Sequence, residues 1–337
     1  CHKVNLDDLW KFFFETGFVY PHKYASIHEN KKKFKKTYNK LYMQNPHIAR
    51  HFIHQDKGII GAHFSMIRFY ENTWLIHHHA AIRSNDNIAG LVVLDQVVNY
   101  INDFHHLYST HMNFIISYFR PDNKFPSRVF GKSARELKNP KACSIDSFAY
   151  FHFSRNDQNF NPAEKNNLVK TRPEDLIELK NFYEHDSGGL MLDALDLTPE
   201  LINSSVINKE YSKLRLKRER HLFSLKKDGH LKAIFIVNIS DFGLNMSNLT
   251  NCIHVIFLSE NLPRNILYTS LSGLSKYYKQ DQIPVLLYPM NYAETQEIPY
   301  ERTYNLWILN MQYTDQYFKY ANVIGLLNSP QDRGVIP

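Results

Sequence analysis

Cysteine is scarce in this sequence, and long apolar runs are missing. The 337 residues include three cysteines, Cys1, Cys143 and Cys252. Their odd number and wide separation give neither a disulfide framework nor the paired spacing of a zinc site, so a reducing cytoplasm is the expected location. No apolar run approaches the ~20 residues of a membrane-spanning helix, and no signal-peptide pattern opens the chain. A chain that begins with Cys1 rather than Met is compatible with a fragment whose upstream region carries another domain.

The composition supports sizeable cores and an anionic ligand. Apolar residues make up 43% and aromatic residues 14% of the chain, and the length suits two ordinary domains. The formal charge of +7 and a pI near 9.0 fit a nucleotide-bearing cofactor, nucleic acid or an anionic membrane surface. The charge is concentrated at 31–36 and 213–220. Apolar residues at helical spacing accompany these runs, so we interpret both as solvated helix faces rather than nucleic-acid contacts.

The first part of the chain alternates helical and strand patterns. Asp56, Lys57 and Gly58 form a turn between two alternating apolar runs and predict a β-hairpin. Leu91, Leu94, Val98 and Ile101 predict a helix after the polar loop 83–87. The predicted order is helix 6–14, helix 31–43, strands 51–55, 59–68 and 73–82, the helix from Gly90, strand 112–119, helix 127–137 and strand 144–153.

The second part repeats this plan after a polar segment, 154–173. Its hairpin turn contains Asp228 and Gly229, and Pro263 opens a helix as expected for a first-turn proline. The predicted order is a helix from Pro173, helix 192–206, strands 222–226, 231–238 and 252–258, helix 263–278, and strands 285–288 and 304–311.

Residues 56–102 combine a hairpin, a further strand and a tight loop that enters a helix. The first N–H groups of such a helix lack internal partners and bind phosphate. This order resembles the core of the GNAT acyltransferase fold, in which a helix N-terminus holds the pyrophosphate of acyl-coenzyme A. The resemblance implies an α/β (α+β) protein with two GNAT-like domains, each a mixed, mostly antiparallel twisted sheet flanked by helices. They would be residues 1–153 and, after the linker 154–173, a degenerate domain over 174–337; one α/β domain beside an unrelated one is the alternative.

Three segments carry a closer resemblance: Gly17-Phe-Val-Tyr-Pro, Gly61-Ala-His-Phe-Ser-Met-Ile-Arg with the histidines after Trp74, and Tyr118-Phe-Arg-Pro-Asp-Asn-Lys-Phe-Pro. They are similar to uncharacterised bacterial GNAT-like proteins, some of which carry a PilZ domain that senses cyclic di-GMP. The sequence holds no convincing pair of PilZ ligand motifs, so such a sensor would lie upstream.

GNAT enzymes carry Gln/Arg-x-x-Gly-x-Gly/Ala between strand and helix, where glycines let backbone N–H groups approach the pyrophosphate. Here Ile88 stands at the first glycine and Gly90 keeps the last, which departs from the pattern. The matching loop of the second half, 259–265, has no glycine and contains Glu260, so we expect no coenzyme A there. The resemblance implies acetyl-coenzyme A or another acyl-coenzyme A as cofactor, bound by Ala80, Ile82, Asn85, Asn87, Ala89, Gly90 and Asn123.

Acyl transfer to an amine needs a polarised thioester carbonyl, a base and an acid. In the family, backbone N–H groups of the strand that here holds His77, His78 and His79 polarise the carbonyl. Strand alternation predicts that His77 and His79 share a face, where they serve as base or line the acceptor cleft. Three adjacent histidines are not a zinc motif, and locally bonded core histidines are an equally good interpretation.

The family's acid is often a tyrosine, near the position that Phe130 occupies here. Phenylalanine donates no proton, so Tyr118 is the nearest substitute, and packing in the core is its alternative role.

The leading hypothesis is therefore an acyl-coenzyme-A-dependent N-acyltransferase acting on a small-molecule or peptide amine. A degenerate pair of domains that senses a ligand or binds a protein is the alternative. An aminoacyl transferase that uses tRNA ranks last, because the long helical-hairpin insertion usual in such enzymes is not evident, and nucleic acid is an unlikely partner.

Overall fold

The computed structural model describes residues 4–19, 24–44, 46–82, 88–155, 168–259 and 261–323. The helices are α1 Leu6–Glu15, α2 Tyr24–Glu29, α3 Lys31–Tyr38, α4 Ile88–Phe104, α5 Lys124–Pro126, α6 Lys132–Leu137, α7 Pro173–Asp186, α8 Met191–Ala194, α9 Val206–Lys213, α10 Arg264–Leu274, α11 Met290–Thr295 and α12 Thr314–Val323. The strands are β1 Ala49–Asp56, β2 Ile59–Tyr70, β3 Thr73–Ala81, β4 Phe114–Phe119, β5 Cys143–Ser154, β6 Leu168–Lys170, β7 Arg218–Lys227, β8 His230–Ser240, β9 Ile253–Phe257, β10 Gln282–Tyr288 and β11 Arg302–Asn310.

The strands form one sheet in the order β1-β2-β3-β4-β11-β5-β10-β9-β8-β7-β6. The pairs β3/β4 and β9/β10 are parallel, and each is bridged by a helix, α4 or α10. The remaining neighbours are antiparallel. The predicted fold class, a mixed and mostly antiparallel sheet flanked by helices, is confirmed.

The two halves of the chain exchange their last strands. β5 ends the first half and pairs with β10 of the second, while β11 lies between β4 and β5. The halves therefore share one continuous sheet. The division into domains 1–153 and 174–337 stays a prediction, and the sheet runs without a break across it.

Local turn chemistry fixes both hairpins. Lys57 and Gly58 have φ values of 45° and 83°, and Asp228 and Gly229 have values of 54° and 79°. Two successive residues with positive φ match the twist of the flanking strands. Both predicted hairpins are confirmed.

The helix predicted over residues 192–206 is wrong. α8 ends at Ala194, Asp196 has a φ of 52°, and α9 begins only at Val206. Leu192, Leu195 and Leu197 are nevertheless buried. Their apolar spacing reflects burial of an irregular segment in the core rather than helical periodicity.

Alternating strand residues divide the interior into cores on the two faces of the sheet. Leu306 and Ile308 belong to a large core shared by both halves and packed with α1, α3, α7 and α9. Trp307 and Leu309 point to the opposite face, where α4, α6 and α12 cover a core built mainly from first-half residues. On the same face of the sheet, the second half has a separate core, which α10 and α11 cover. The cleft described next lies where β3 and β4 separate.

Candidate functional site

Strands β3 and β4 are paired over only part of their lengths. Their parallel register begins at Thr73 with Phe114 and ends at Ile76 with Ser117, although β3 continues to Ala81 and β4 to Phe119. Residues 78–81 of β3 still pair with β2 on their other edge. Since each strand edge presents alternating N–H and C=O groups, residues 77–81 turn part of their backbone hydrogen-bonding capacity towards the gap.

A β-bulge at His77 accompanies this separation. Ser65 pairs with His78 and Met66 with Ile76, so His77 is an extra residue in β3. A bulge bends its strand and changes the direction of the side chains that follow it.

The bulge also overturns the predicted grouping of the histidines. The rings of His77 and His78 stack, with centroids 4.1 Å apart. The His79 ring instead contacts Phe64 at 5.4 Å and Phe125 at 4.9 Å, in centroid distances. The expectation that His77 and His79 share a face is therefore wrong, because strict alternation fails at a bulge.

The gap opens into a cleft of about 1110 Å³ that reaches both faces of the sheet. We call the two sides the α4 side and the loop side. The α4 side is lined by Gly90, Leu91, Leu94, Lys124, Phe125, Arg128 and Phe130, and the loop side by residues 16–19, His77, His78 and residues 245–249 except 248. Two molecules can therefore approach the separated strands from opposite faces.

A directed chain of hydrogen bonds engages His77 and His78. The Leu244 carbonyl can only accept, so Nδ1–H of His77 donates to it at 2.9 Å and leaves Nε2 to accept from the Tyr42 hydroxyl at 2.9 Å. His78 must then donate through Nδ1 to the Tyr42 oxygen at 2.9 Å, and its Nε2 accepts from Tyr38 at 3.2 Å. All four ring nitrogens are occupied. Sequence reasoning missed Tyr42, and no sequence signal marks it, because its partners lie on distant strands.

Burial keeps all three histidines neutral. It lowers the pKa of His77 and of His79 to about 4, and that of His78 well below its usual value. Within the described residues, no hydrogen bond engages the His79 ring, which is only partly buried. His79 is thus the histidine of this run whose ring nitrogens are available to accept a proton from a molecule in the cleft.

Tyr118 lines the cleft but packs into the shared core. Its ring lies 6.4 Å from Phe148 and 6.2 Å from His254 between centroids. Its hydroxyl is buried and has no hydrogen-bond partner among the described residues. Burial raises the pKa of Tyr118 well above its usual value. The structure therefore places its ring beside the cleft and gives its hydroxyl no contact with His79.

Phe130 lies on the α4 side and is 7% exposed. Its ring stacks obliquely on Trp307, with centroids 4.7 Å apart. The cleft therefore receives an aromatic surface, and no hydroxyl, at this position.

The predicted cofactor-binding residues fall into three groups. Ala80 and Ile82 lie on or just past the open edge of β3, but the Ile82 N–H donates to the Gly61 carbonyl at 2.9 Å. Asn123 lines the cleft as the residue before α5. Asn85 and Asn87 lie outside the described residues, as does the side chain of Ile88.

Ala89 and Gly90 bring the start of α4 against the β2–β3 hairpin. A Cβ on Gly90 would lie 3.2 Å from the Ala81 Cβ, and one on Gly61 would lie 3.0 Å from the Ala89 Cβ. Such contacts are tighter than ordinary packing. Gly90 therefore has a packing role that the loop motif did not predict.

Positive charge collects on the α4 side. Lys124 and Arg128 line the cleft beside Arg120, whose Nε donates to Asp122 at 3.0 Å. Sequence reasoning did not single out Lys124 or Arg128, although both lie in the segment that follows the strand of Tyr118. Their charges suit a phosphate-bearing ligand.

The corresponding strands of the second half do not separate. β9 and β10 are paired up to Ile256 with Tyr288, next to the ends of both strands. The Tyr292 ring stacks on Phe257 with centroids 3.7 Å apart, and its hydroxyl donates to the Leu262 carbonyl at 2.9 Å. An aromatic pair thus packs at the end of this strand pair. Glu260 lies outside the described residues.

Among the described residues, no group of His, Cys, Asp and Glu side chains is arranged to hold a metal ion. None of the described helices combines the length and apolar character needed to cross a membrane.

Comparisons with known proteins give distant structural likenesses. No protein-family model and no curated protein match the chain. A Drosophila melanogaster protein is 11% identical, with 92% of this chain and 97% of that chain covered and a TM-score of 0.46. A GNAT-family acetyltransferase from Colwellia psychrerythraea is 11% identical, with 85% of this chain and 96% of that chain covered and a TM-score of 0.33. A tandem GNAT protein from the clavulanic acid biosynthesis pathway is 9% identical, with 79% of this chain and 84% of that chain covered and a TM-score of 0.35.

The structural neighbours thus include GNAT acetyltransferases, one of them tandem, as the sequence resemblance predicts. Structural likenesses this distant do not assign an activity or a ligand to the chain.

Proposed function

We propose that the chain is a GNAT-type N-acyltransferase that moves an acyl group from acyl-coenzyme A to an amine in the cleft between β3 and β4. The observation that carries the proposal is the early end of parallel pairing at Ile76 and Ser117. It leaves the edge of residues 77–81 open to a cleft that reaches both faces of the sheet. A donor and an acceptor can then meet at one strand edge without competing for one entrance.

The α4 side fits an acyl-coenzyme A in charge and shape. Lys124 and Arg128 can pair with its phosphates, and the start of the 17-residue helix α4 favours negative charge. Gly90 lets that helix lie close to Ala81. The open edge of β3 offers N–H and C=O partners to an extended amide-bearing arm. The bound donor would supply an activated thioester carbonyl.

The chain's own residues would polarise that carbonyl and hold the amine's proton. Backbone N–H groups on the open edge of 77–81 can donate to a developing oxyanion. His79 is neutral, and no hydrogen bond occupies its ring among the described residues, so a ring nitrogen can accept a proton; burial, which lowers its pKa to about 4, makes it a weaker base than an exposed histidine. We assign packing rather than acid catalysis to Tyr118, since its hydroxyl faces the core.

The loop side suits the acceptor, a small-molecule or peptide amine. It is formed by Gly17, Phe18 and Val19 from the first half and by Asn245, Met246 and Ser247 from the second. Both halves would therefore shape acceptor choice, although among the described residues the open donor cleft lies in the first half.

The test is a titration with acetyl-coenzyme A and longer acyl-coenzyme A species by calorimetry and thermal shift. A ligand at 100 times its dissociation constant should add about 2.7 kcal/mol of stability. Lys124→Gln/Arg128→Gln should weaken binding at least several-fold. Lys132→Gln/Arg135→Gln, which removes the same charge from exposed positions of α6 outside the cleft lining, should not. Failure of every acyl-coenzyme A to saturate a site would refute the proposal.

A non-catalytic module that senses or binds a ligand is the second candidate. It is favoured by the full engagement of His77 and His78 and by the missing hydroxyl at Phe130. A panel of amine acceptors separates the two. Turnover that His79→Ala abolishes while donor affinity persists supports the transferase, and saturable binding without any turnover supports the module. The link to cyclic di-GMP and the use of tRNA stay predictions.

A further inference from the structure

The two basic runs of the sequence meet on one surface. Lys40, just past α3, donates through Nζ to the Arg215 carbonyl at 2.8 Å, across 175 positions of sequence. Lys33 places its ammonium 4.9 Å from the centroid of the Phe242 ring, beside the same region. α3 and the segment 213–217 therefore lie side by side, although the sequence predicts two independent solvated faces.

Two lysines of the first basic run form a row with Lys40. Lys32 and Lys36 are spaced by four residues, which places them on one face of α3 about 6 Å apart along the axis, and Lys40 follows four residues later in the π-helical turn Asn39–Met43. Lys32, Lys36 and Arg215 are exposed. We call Lys32, Lys36, Lys40 and Arg215 the basic surface.

Gathering these charges costs free energy. The pKa of Lys40 is lowered first by burial and then by the charge of Lys36, with a smaller effect of Arg215. α3 also begins with three lysines and has no acidic residue in its first turn, which opposes the helix dipole. A bound polyanion would relieve both costs.

The neighbouring carboxylates have other partners. Asp7 pairs with Lys35, Glu210 with Lys213 at 2.6 Å, and Glu219 with Lys217 at 3.4 Å. Asp241 accepts the Lys217 backbone N–H at 2.8 Å and offsets part of the repulsion at Lys40. Among the described residues, Lys32, Lys36 and Arg215 form no ion pair, so this surface keeps an uncompensated positive charge.

The segment that begins at Asp241 connects the basic surface to the cleft. The Phe242 carbonyl accepts from the Thr37 hydroxyl of α3 at 2.6 Å. Two residues later the Leu244 carbonyl accepts from His77, and Asn245 then lines the loop side. The basic surface therefore adjoins the side of the cleft that we assign to the acceptor.

We propose that the basic surface binds the phosphate backbone of a nucleic acid. A row of ammonium groups on a helix matches a chain of phosphates, and such contacts are sequence-independent. No exposed large apolar side chain of the described residues lies on α3 or within 213–217. This removes the apolar contribution that strengthens binding to a membrane surface, leaving only attraction to anionic headgroups, and disfavours recognition by base stacking. The proposal requires no acyl transfer.

The test is fluorescence anisotropy of the chain with a labelled single-stranded RNA and with DNA of the same sequence over a range of potassium chloride concentrations. We expect saturable binding of both, with log K falling linearly with log salt concentration by about 0.7 for each phosphate contacted. Lys32→Gln/Lys36→Gln/Arg215→Gln should weaken binding at least about ten-fold and reduce the slope by about 2. The control Lys132→Gln/Lys180→Gln/Lys279→Gln removes the same charge from exposed positions elsewhere and should change the affinity less than two-fold.

Three results would overturn the proposal. One is the absence of binding at low salt, and another is an equal loss in both triple variants, which would mean that net charge alone attracts the probe. The third is binding to phosphatidylserine vesicles, but to neither nucleic acid, that the first triple variant abolishes. Calorimetry of that variant with acyl-coenzyme A keeps the two proposals apart, because its donor affinity should equal that of the unmodified chain.

Discussion

The rings of His77 and His78 lie nearly parallel, with an interplanar angle of 16°, and the Tyr42 hydroxyl bonds to both. Adjacent residues of a regular strand point to opposite faces, so this arrangement exists only because of the bulge at His77. The same bulge lies where β3 leaves β4. The buried histidines therefore support the bend that opens the cleft, and their hydrogen bonds are a testable part of the fold.

Tyr42→Phe should destabilise the protein strongly. It removes the hydroxyl that satisfies Nε2 of His77 and Nδ1 of His78, and each buried polar atom left without a partner costs about 1–3 kcal/mol. The free energy of unfolding in urea should fall by about 2–4 kcal/mol. Tyr108→Phe deletes the same atom from a side chain that is 90% exposed and should change it by less than about 0.5 kcal/mol. Similar losses in both variants would contradict the directed chain.

The stability of the protein should fall in mild acid. Burial lowers the pKa of His77 and of His254 to about 4, whereas an unfolded histidine has a pKa near 6.5. Between these values the unfolded chain binds more protons than the folded one. The contribution of these neutral histidines to the free energy of unfolding is thus complete above about pH 6.5. It is lost as the pH falls towards 4, by up to about 1.4 kcal/mol per pH unit for each histidine.

Urea titrations at several pH values measure this slope. His254→Leu removes one of the titrating groups and should flatten the slope. A slope that His254→Leu does not alter would show that the protein binds protons elsewhere in this window.

Gly90, in the first turn of α4, and Gly273, in the last turn of α10, are both helical glycines. A Cβ on Gly90 meets the Ala81 Cβ at 3.2 Å, whereas one on Gly273 meets nothing within 4 Å. Alanine usually stabilises a helix interior by about 0.5–1 kcal/mol relative to glycine, so Gly273→Ala should gain stability. Gly90→Ala should gain less or lose, and Gly90→Val should lose about 1–3 kcal/mol and weaken acyl-coenzyme A binding. Equal gains at both positions would rule out close packing of α4 on β3.

Local patterns predicted most elements of the fold. The hairpin turn at Lys57 and Gly58 follows from residues that tolerate positive φ, and the alternation of Ala62, Phe64 and Met66 places them together in one core. Such features depend on a few neighbouring residues, so a single sequence contains them.

The features that the sequence patterns did not predict depend on residues far away in the chain. The bulge at His77 requires the register of β2, the irregular segment after Ala194 is held by burial of its leucines, and Tyr42 meets its partners on β3, 35 and 36 residues away in sequence. The basic surface likewise needs Lys40 and Arg215, which only the fold brings together. No local periodicity encodes contacts of this kind.

The strand exchange predicts that neither half folds alone. A fragment that ends at Arg155 leaves β4 without β11 and β5 without both of its neighbours, β11 and β10. It also loses the contact in which Nε of Arg218 donates to the Phe69 carbonyl at 2.6 Å within the shared core. Unpaired edges and exposed apolar surface should leave it without cooperative thermal unfolding by circular dichroism. Coexpression with a fragment that begins at Leu168 should restore a copurifying, cooperatively melting complex, whereas cooperative melting of either fragment alone would show that the exchanged strands are dispensable.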